Sequence, residues 1–251
     1  MNAVAIIPCL NEEKTIKKVV TKTLKYVDKV IVVNDGSTDR TTYVLNNIKS
    51  RKLILITKKI NKGKGFSLRK GLKKALELNP RYIVFLDADG ENNPKDIPKI
   101  LKTLKKNDVA IGKRDKMRSF SRKLVNKFTN FWVEILTRLK ISDSCSGFVG
   151  IRTQLAKKMT LVSKGFEIEI ELVLEAFRNK GRIGEVSINV PKISTSKLGL
   201  KSMVEINMFF DRWVLNFLKT KSHKISFYKM LFLKIFCSIG LLFSYLFNLI
   251  K

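Results

Sequence analysis

Two carboxylates one residue apart, in Asp87-Ala88-Asp89, follow the short apolar run Tyr82 to Leu86. Where a strand ends and the backbone turns, both side chains can reach one divalent cation, and hard oxygen donors suit Mg2+ or Mn2+. A cation at such a point neutralises a diphosphate leaving group. Glu91 adds a ligand directly or through water. An EF-hand loop is excluded, because Asn92 replaces its glycine and Pro98 stands where its bidentate acid belongs. A lone acidic pair is also a common turn, so its meaning depends on what surrounds it.

Two further segments have chemistry in reach. Asn34-Asp35-Gly36-Ser37-Thr38-Asp39 closes a second apolar run, where Asp35 can accept hydrogen bonds from a base or ribose and Asp39 suits the cap of the next helix. Asn61-Lys62-Gly63-Lys64-Gly65 opens a helix with a glycine-lysine loop whose amides can meet phosphate. It lacks the Walker A spacing. Pro8-Cys9-Leu10-Asn11 stands where a dinucleotide dehydrogenase would carry GxGxxG. With Cys9, Cys145 and Cys237 unpatterned and His223 the sole histidine, a Cys/His zinc site is not expected.

These segments need elements to hold them. Strands are expected at Ala3 to Pro8, Lys29 to Val33, Leu53 to Thr57, Tyr82 to Leu86 and Val109 to Gly112. Helices are expected at Glu12 to Tyr26, Asp39 to Ile48, Lys64 to Leu78 and Pro94 to Leu104. Alternation of this kind implies an α/β fold, a mostly parallel sheet with helices on both faces. Ligands bind such sheets at the carboxyl ends of the strands, which is where Asn11, Glu12, Asp35, Asp87 and Asp89 fall. Beyond lie a basic helix from Ser119 to Leu139, a turn at Ser146-Gly147-Phe148 before a short strand, a helix from Phe166 to Phe177 and a strand from Ile183 to Pro191.

The 251 residues carry a formal charge of +29. Charge of that size acts on partners: nucleic acid, an anionic membrane or a phosphorylated substrate. Its plain alternative is a lysine-solvated surface. The chain has no RNP, KH or helix-turn-helix pattern, so nucleic acid is not an expected partner. Met1-Asn2-Ala3 leads directly into an apolar run, so no signal peptide is expected. Residues 221–251 form an expected membrane-anchoring segment after a domain at 1–220. Ile235 to Phe247 lacks charge, and lysines cluster before it rather than after. The positive-inside rule therefore puts the main domain on the cytoplasmic face.

In order and spacing, these motifs resemble the family 2 inverting glycosyltransferases of the GT-A fold, and most closely the dolichyl and polyprenyl phosphate sugar synthases. The resemblance covers roughly residues 3 to 198. Ile6 to Glu13 is similar to the family's opening strand and donor-binding turn, which implies donor contacts at Pro8, Leu10, Asn11 and Glu12. Val33 to Thr41 is similar to its DDGSxDxT segment, with Asn34 in place of the first Asp. Asn61 to Gly65 resembles its NxGKG loop, adding Lys64. Asp87, Ala88, Asp89 and Glu91 resemble its DxD metal motif, where the synthases usually have Gln at the position of Glu91. Gly112-Lys113-Arg114 resembles the synthases' GxR, and Asp143 to Phe148 their DxxSGF. The resemblance implies that Asp89 and Arg114 serve catalysis, that Arg114, Arg122, Asn126, Lys192 and Lys197 hold an acceptor phosphate, and that the sugar is transferred in one inverting displacement. Lys192 and Ser194 replace the family's Arg and Gly in the acceptor loop, and lysine keeps charge without the bidentate fork. The implied donor is GDP-mannose, UDP-glucose or UDP-N-acetylglucosamine. Clustered Arg114, Arg118 and Arg122 match a phosphate on physical grounds. A hydroxyl acceptor (glycolipid, polysaccharide or protein glycan) is the alternative, with Glu167 or Glu169 as base. A basic nucleic-acid-binding protein or an inactive scaffold stands further off.

Overall fold

The computed structural model describes residues 2–115, 120–190, 206, 208–210 and 213. Residues 1–197 form one compact unit and 198–251 a second. The expected anchor at 221–251 lies outside the described residues, as do Lys192, Lys197 and the side chain of Arg122. Among the described residues no helix is long and apolar enough to cross a membrane.

Seven strands make one sheet in the order β3-β2-β1-β4-β6-β5-β7. They are β1 (Ala3–Cys9), β2 (Lys29–Asn34), β3 (Leu53–Thr57), β4 (Tyr82–Phe85), β5 (Val109–Arg114), β6 (Val149–Arg152) and β7 (Ile183–Ile188). Pairing is parallel except around β6, which runs antiparallel to both β4 and β5. The mostly parallel α/β expectation therefore holds. Because β6 is reversed, β4 and β5 point the same way, and the carboxyl ends of β1, β2, β4 and β5 share one edge.

β1 is buried along its whole length, as a strand covered on both faces must be. Ala3, Ala5, Ile7 and Cys9 join a core with Ile16, Val19 and Val20 of α1 (Ile16–Thr23). Ile6 faces the other way, onto α3 (Lys64–Glu77), where a side chain at Gly71 would overlap its Cγ2. A missing Cβ thus lets α3 sit close on the sheet, fixing the position of its first residue, Lys64. The remaining helices are α2 (Thr41–Asn46), α4 (Ile97–Thr103), entered through a 3-10 turn at Pro94–Asp96, α5 (Phe120–Thr137), α6 (Thr153–Ala156) and α7 (Ile168–Arg178).

Several helices start later than the sequence suggests, α7 at Ile168 rather than Phe166 among them. α1 begins at Ile16 rather than Glu12, since the acids before it serve the loop. Glu13 accepts the Arg40 N–H (2.9 Å), and Glu12 accepts from the Thr15 hydroxyl (2.8 Å). α2 begins at Thr41 rather than Asp39, whose carboxylate accepts the Thr41 N–H (2.9 Å) and the Glu13 N–H (3.2 Å).

Candidate functional site

The site is built on the shared carboxyl edge. After β1, Asn11 takes a left-handed backbone (φ 54°). Its N–H donates to the Ser37 hydroxyl (3.0 Å) and its Oδ1 accepts the Thr38 N–H (2.8 Å). Asn11 therefore ties the first loop to the second. Asn34 is fully buried; its amide donates to the Thr42 hydroxyl (2.8 Å), and its Oδ1 accepts from the Ser37 hydroxyl (2.6 Å). That donor to Thr42 is one that an aspartate at position 34 could not supply. Asp35, also buried, pairs with the Lys58 ammonium, and the same oxygen accepts the Lys62 N–H (2.9 Å). Lys58 further donates to the Ser67 hydroxyl (3.2 Å) and lies 4.4 Å from the Phe66 ring. The expected base- or ribose-binding carboxylate thus has a lysine partner that its local sequence did not announce.

The glycine-lysine loop is seated against residues 163–165. A side chain on Gly63 (φ 94°) would overlap the Lys164 carbonyl, and one on Gly65 would come within 2.5 Å of the Ser163 carbonyl. The Gly65 N–H donates to Lys164 O (2.8 Å), so this amide is already used. Glu171, buried under the facing loop, braces it by accepting from Val162 N (2.8 Å) and Ser163 N (3.0 Å).

Lys64 is the hub. Its ammonium lies 2.6 Å from Asp87 Oδ1 and 2.5 Å from Glu169 Oε1 at the start of α7. Burial works against its charge, but the two carboxylates outweigh burial and hold its pKa above the ordinary lysine range. Glu169 moves upward through burial, with Lys64 opposing. Asp89, turned by Gly90 (φ 80°), accepts the Glu91 N–H at 2.9 Å. Burial first, then the charges of Asp87 and Glu91, push its carboxyl up to about 6. Crowded acids at a strand end form a negative pole that a cation relieves, so the oxygen donor set fits a divalent metal. Asp87 and Asp89 are the residues to hold it, with buried Glu91 beside them. Among the described residues no three acidic, His or Cys side chains form a ready-made cage, so further ligands would come from a substrate or water.

Gly147, at the entry to β6, leaves room for Asp87: a Cβ there would overlap Asp87 Oδ2. We expect Gly147→Ala to displace this carboxylate and to cost about 1–3 kcal/mol of stability, since the added methyl crowds the Asp87 carboxylate and moves it off Lys64. Transfer should fall at least about tenfold, with donor KM rising. An unchanged KM in steady-state assays would show that Asp87 has room to yield.

Arg114 ends β5. Its Nε and Nη2 fork onto both oxygens of Asp143 (2.7 Å each), its N–H reaches Asp143 Oδ2 (3.1 Å), and Nη2 reaches the Cys145 carbonyl (3.3 Å). Burial opposes the guanidinium charge, but Asp143 more than restores it. Glu185 of β7 supports the arrangement, accepting from Ser142 N (2.8 Å), Ser142 Oγ (2.9 Å) and Asp143 N (3.2 Å). Asn126, from α5, donates to the Ser142 carbonyl (3.0 Å), leaving its buried Oδ1 without a hydrogen-bond partner. The structure therefore brings together Asn11, Asp35, Lys64, Asp87, Asp89, Glu91 and Arg114 on one edge, and ties Asn126 to the loop that carries Asp143. Pro8 lies within buried β1 beside Val33, Leu10 follows the strand's last residue, Cys9, and Ala88 is buried between the two acids. Glu167 accepts from Lys164 N (3.0 Å) and Gly165 N (3.1 Å) through Oε1. The sequence does not announce the pairings made by Lys58, Asp143, Glu169 and Glu185, because each meets its mate only across the fold.

Comparison with known proteins agrees with this architecture. The Glycosyl transferase family 2 profile matches residues 4–159. An uncharacterized protein of Methanocaldococcus jannaschii is 33% identical over 198 residues, covering 73% of this chain and 79% of its own. A UDP-N-acetylglucosamine–dolichyl-phosphate N-acetylglucosaminyltransferase of Methanococcus voltae is 31% identical over 231 residues, covering 82% of this chain and 92% of its own. Among solved structures, glucosyl-3-phosphoglycerate synthase of Mycobacterium tuberculosis, in complex with Mn2+, UDP and glucosyl-3-phosphoglycerate, superposes with a TM-score of 0.67 at 21% identity, covering 84% of this chain and 79% of that one. At that identity the likeness speaks for the fold.

Proposed function

The chain belongs to glycosyl transferase family 2 and is a glycosyltransferase, and from that premise we propose that it moves a sugar from a nucleotide-diphosphate donor to a dolichyl or polyprenyl phosphate, with inversion and with help from Mg2+ or Mn2+. The observation that carries this reading is the pairing of charges at the sheet edge: acids at Asp87, Asp89 and Glu91, with Lys64 and Arg114 fixed beside them. The named acceptor of the Methanococcus voltae relative supports the lipid phosphate, and its named donor makes UDP-N-acetylglucosamine the first sugar to try, before UDP-glucose and GDP-mannose.

Asp87 and Asp89 are the proposed metal carboxylates; a cation bound there would offset the negative charge gathering on the departing nucleoside diphosphate. Lys64 keeps Asp87 aimed and adds positive charge at the start of α3, where phosphate is favoured. Asp143 holds Arg114 in a single orientation, so positive charge is in place before the acceptor arrives. A phosphate monoester is already anionic near neutral pH and needs little help from a base. That suits Glu169, whose carboxylate is bound to Lys64.

One observation favours a hydroxyl acceptor instead: Glu167 Oε2 is buried and without a hydrogen-bond partner, as a proton acceptor would be. A single experiment separates the readings. Purified protein is incubated with dolichyl phosphate, Mn2+ or Mg2+ and labelled nucleotide sugars, alongside Asp89→Asn and Glu167→Gln. We expect label in the organic phase with one donor, its loss by at least about a hundredfold in Asp89→Asn, and less than a tenfold change in Glu167→Gln. A fall of more than a hundredfold in folded Glu167→Gln, or no lipid-linked label with any donor, overturns the lipid-phosphate reading.

A further inference from the structure

We propose that Glu171 is a positioning residue for the donor site: through residues 160–165 it fixes the loop that carries Lys64, an inference that rests on the proposed nucleotide-sugar donor. Three glutamates stand one turn apart along α7, and between them they grip the main chain of residues 160–165. Glu175 accepts Thr160 N (3.0 Å). Glu171 accepts Val162 N on one oxygen (2.8 Å) and Ser163 N on the other (3.0 Å). Glu167 accepts Lys164 N (3.0 Å) and Gly165 N (3.1 Å). Such a row is costly to keep. Like charges four residues apart oppose a helix, and a carboxylate is expensive to bury unless its oxygens are bonded. Glu171 is 2% exposed and Glu175 4%. The positive end of the helix dipole favours Glu167 and Glu171, but Glu175 stands in the last turn of α7. Apolar burial does little for residues 160–165, since Val162 is 63% exposed. The carboxylates hold this segment by its backbone.

Its carbonyls in turn face the glycine-lysine loop. Lys164 O accepts Gly65 N (2.8 Å) and Phe66 N (3.3 Å). The Ser163 carbonyl lies so near Gly65 that a Cβ there would come within 2.5 Å of it. Lys64 sits between Gly63 and Gly65, so whatever fixes Ser163 and Lys164 fixes Lys64. α7 therefore reaches Lys64 by two routes: directly, through Glu169 (2.5 Å), and through Glu171, whose partner Ser163 is the residue against Gly65. Glu175 differs in reach. It meets the segment at Thr160, three residues before the carbonyl that abuts Gly65, and is tied to Arg178 (3.3 Å). Two buried glutamates on one helix, with the same kind of bond and different distances from the donor loop, separate positioning from folding.

Full-length wild type, Glu171→Gln and Glu175→Gln are compared in two measurements. Calorimetry reads the affinity for UDP and for GDP with Mn2+. Hydrogen–deuterium exchange reads the peptide that holds the Gly65 and Phe66 amides. Glutamine keeps the size of the side chain but turns one acceptor oxygen into a donor, so at position 171 one of the two amides loses its partner. We expect Glu171→Gln to weaken nucleotide binding at least about tenfold and to speed exchange at Gly65 and Phe66 at least about fivefold. Glu175→Gln should leave both within about twofold of wild type, whatever it loses in melting temperature. Equal effects of the two variants overturn the proposal, because Glu171 then contributes to folding alone. So does wild-type exchange at Gly65 and Phe66 in Glu171→Gln, or faster exchange there with unchanged nucleotide affinity. Should Glu171→Gln fail to fold, Glu171→Asp, one methylene short of the amides, takes its place. Wild-type protein that binds neither nucleotide refutes the donor reading, and the exchange comparison then decides by itself whether Glu171 holds the loop.

Discussion

Lys64→Met is expected to lower kcat/KM for sugar transfer by at least about a hundredfold, or about 2.7 kcal/mol of transition-state stabilisation. The substitution removes two charge-assisted contacts, to Asp87 and Glu169, each worth about 1.5–3 kcal/mol in a setting of this kind. It leaves Asp87 free to swing away from Asp89 and takes a positive charge from the site. A fall in stability must be separated from the loss of chemistry, because Glu169 is left buried without its cation. Lys64→Met/Glu169→Gln makes that separation: it should recover much of the thermal stability and little of the activity. If the double variant transfers sugar at near the wild-type rate, Lys64 only neutralises Glu169, and its assignment to the donor site is wrong.

Asp143→Ala should cost about 3–5 kcal/mol of folding stability, the usual penalty for stranding one partner of a buried ion pair. Asp143 is fully buried, and it receives both Nε and Nη2 of Arg114 as well as the Arg114 main-chain N–H. For a chain of this size that amounts to a melting-temperature fall of roughly 10 °C, measured by circular dichroism or calorimetry. Arg114→Met/Asp143→Leu should melt well above Asp143→Ala, since no buried charge is left unpaired, yet remain inactive if Arg114 serves the acceptor. An Asp143→Ala protein that melts within 2 °C of wild type would mean that water or another acid satisfies Arg114.

These two predictions concern partners that the linear sequence hid, and the reason is physical. What could be read along the chain was local: short apolar runs and period-3.6 patterning located β1 to β5 and the helices between them, and turn chemistry located the acidic and glycine-rich ends. α3 came out almost residue for residue, because Gly63 before it and Asn79-Pro80 after it are unambiguous stops. Glu12 and Glu13 look like first-turn acids of α1, whereas their side chains accept from the Thr15 hydroxyl and the Arg40 N–H, and the helix starts only at Ile16. Motif spacing placed Asp35, Asp87, Asp89 and Arg114 at strand ends, and the sheet order then set them on one edge. Periodicity carries no record of which lysine meets which acid, however. Lys58 with Asp35, Lys64 with Glu169, and Arg114 with Asp143 are formed by folding alone. Asn126 shows the same limit from the other side: a polar residue at the expected spacing turns its amide to the Ser142 carbonyl.

The reversed strand β6 also bears on how the chain comes to be made. β4 pairs with β1 on one side and with β6 on the other, yet β6 is translated long after β4. With synthesis at about 5–20 residues per second, a nascent chain that has assembled β1 to β4 waits several seconds with the free edge of Tyr82–Phe85 open. Unpaired, apolar strand edges are templates for intermolecular pairing. Translation of the span between β4 and β6 is therefore an interval in which an open strand edge invites misassembly on the ribosome. Pausing there, or truncating the product before Val149, should convert a soluble intermediate into an aggregating one.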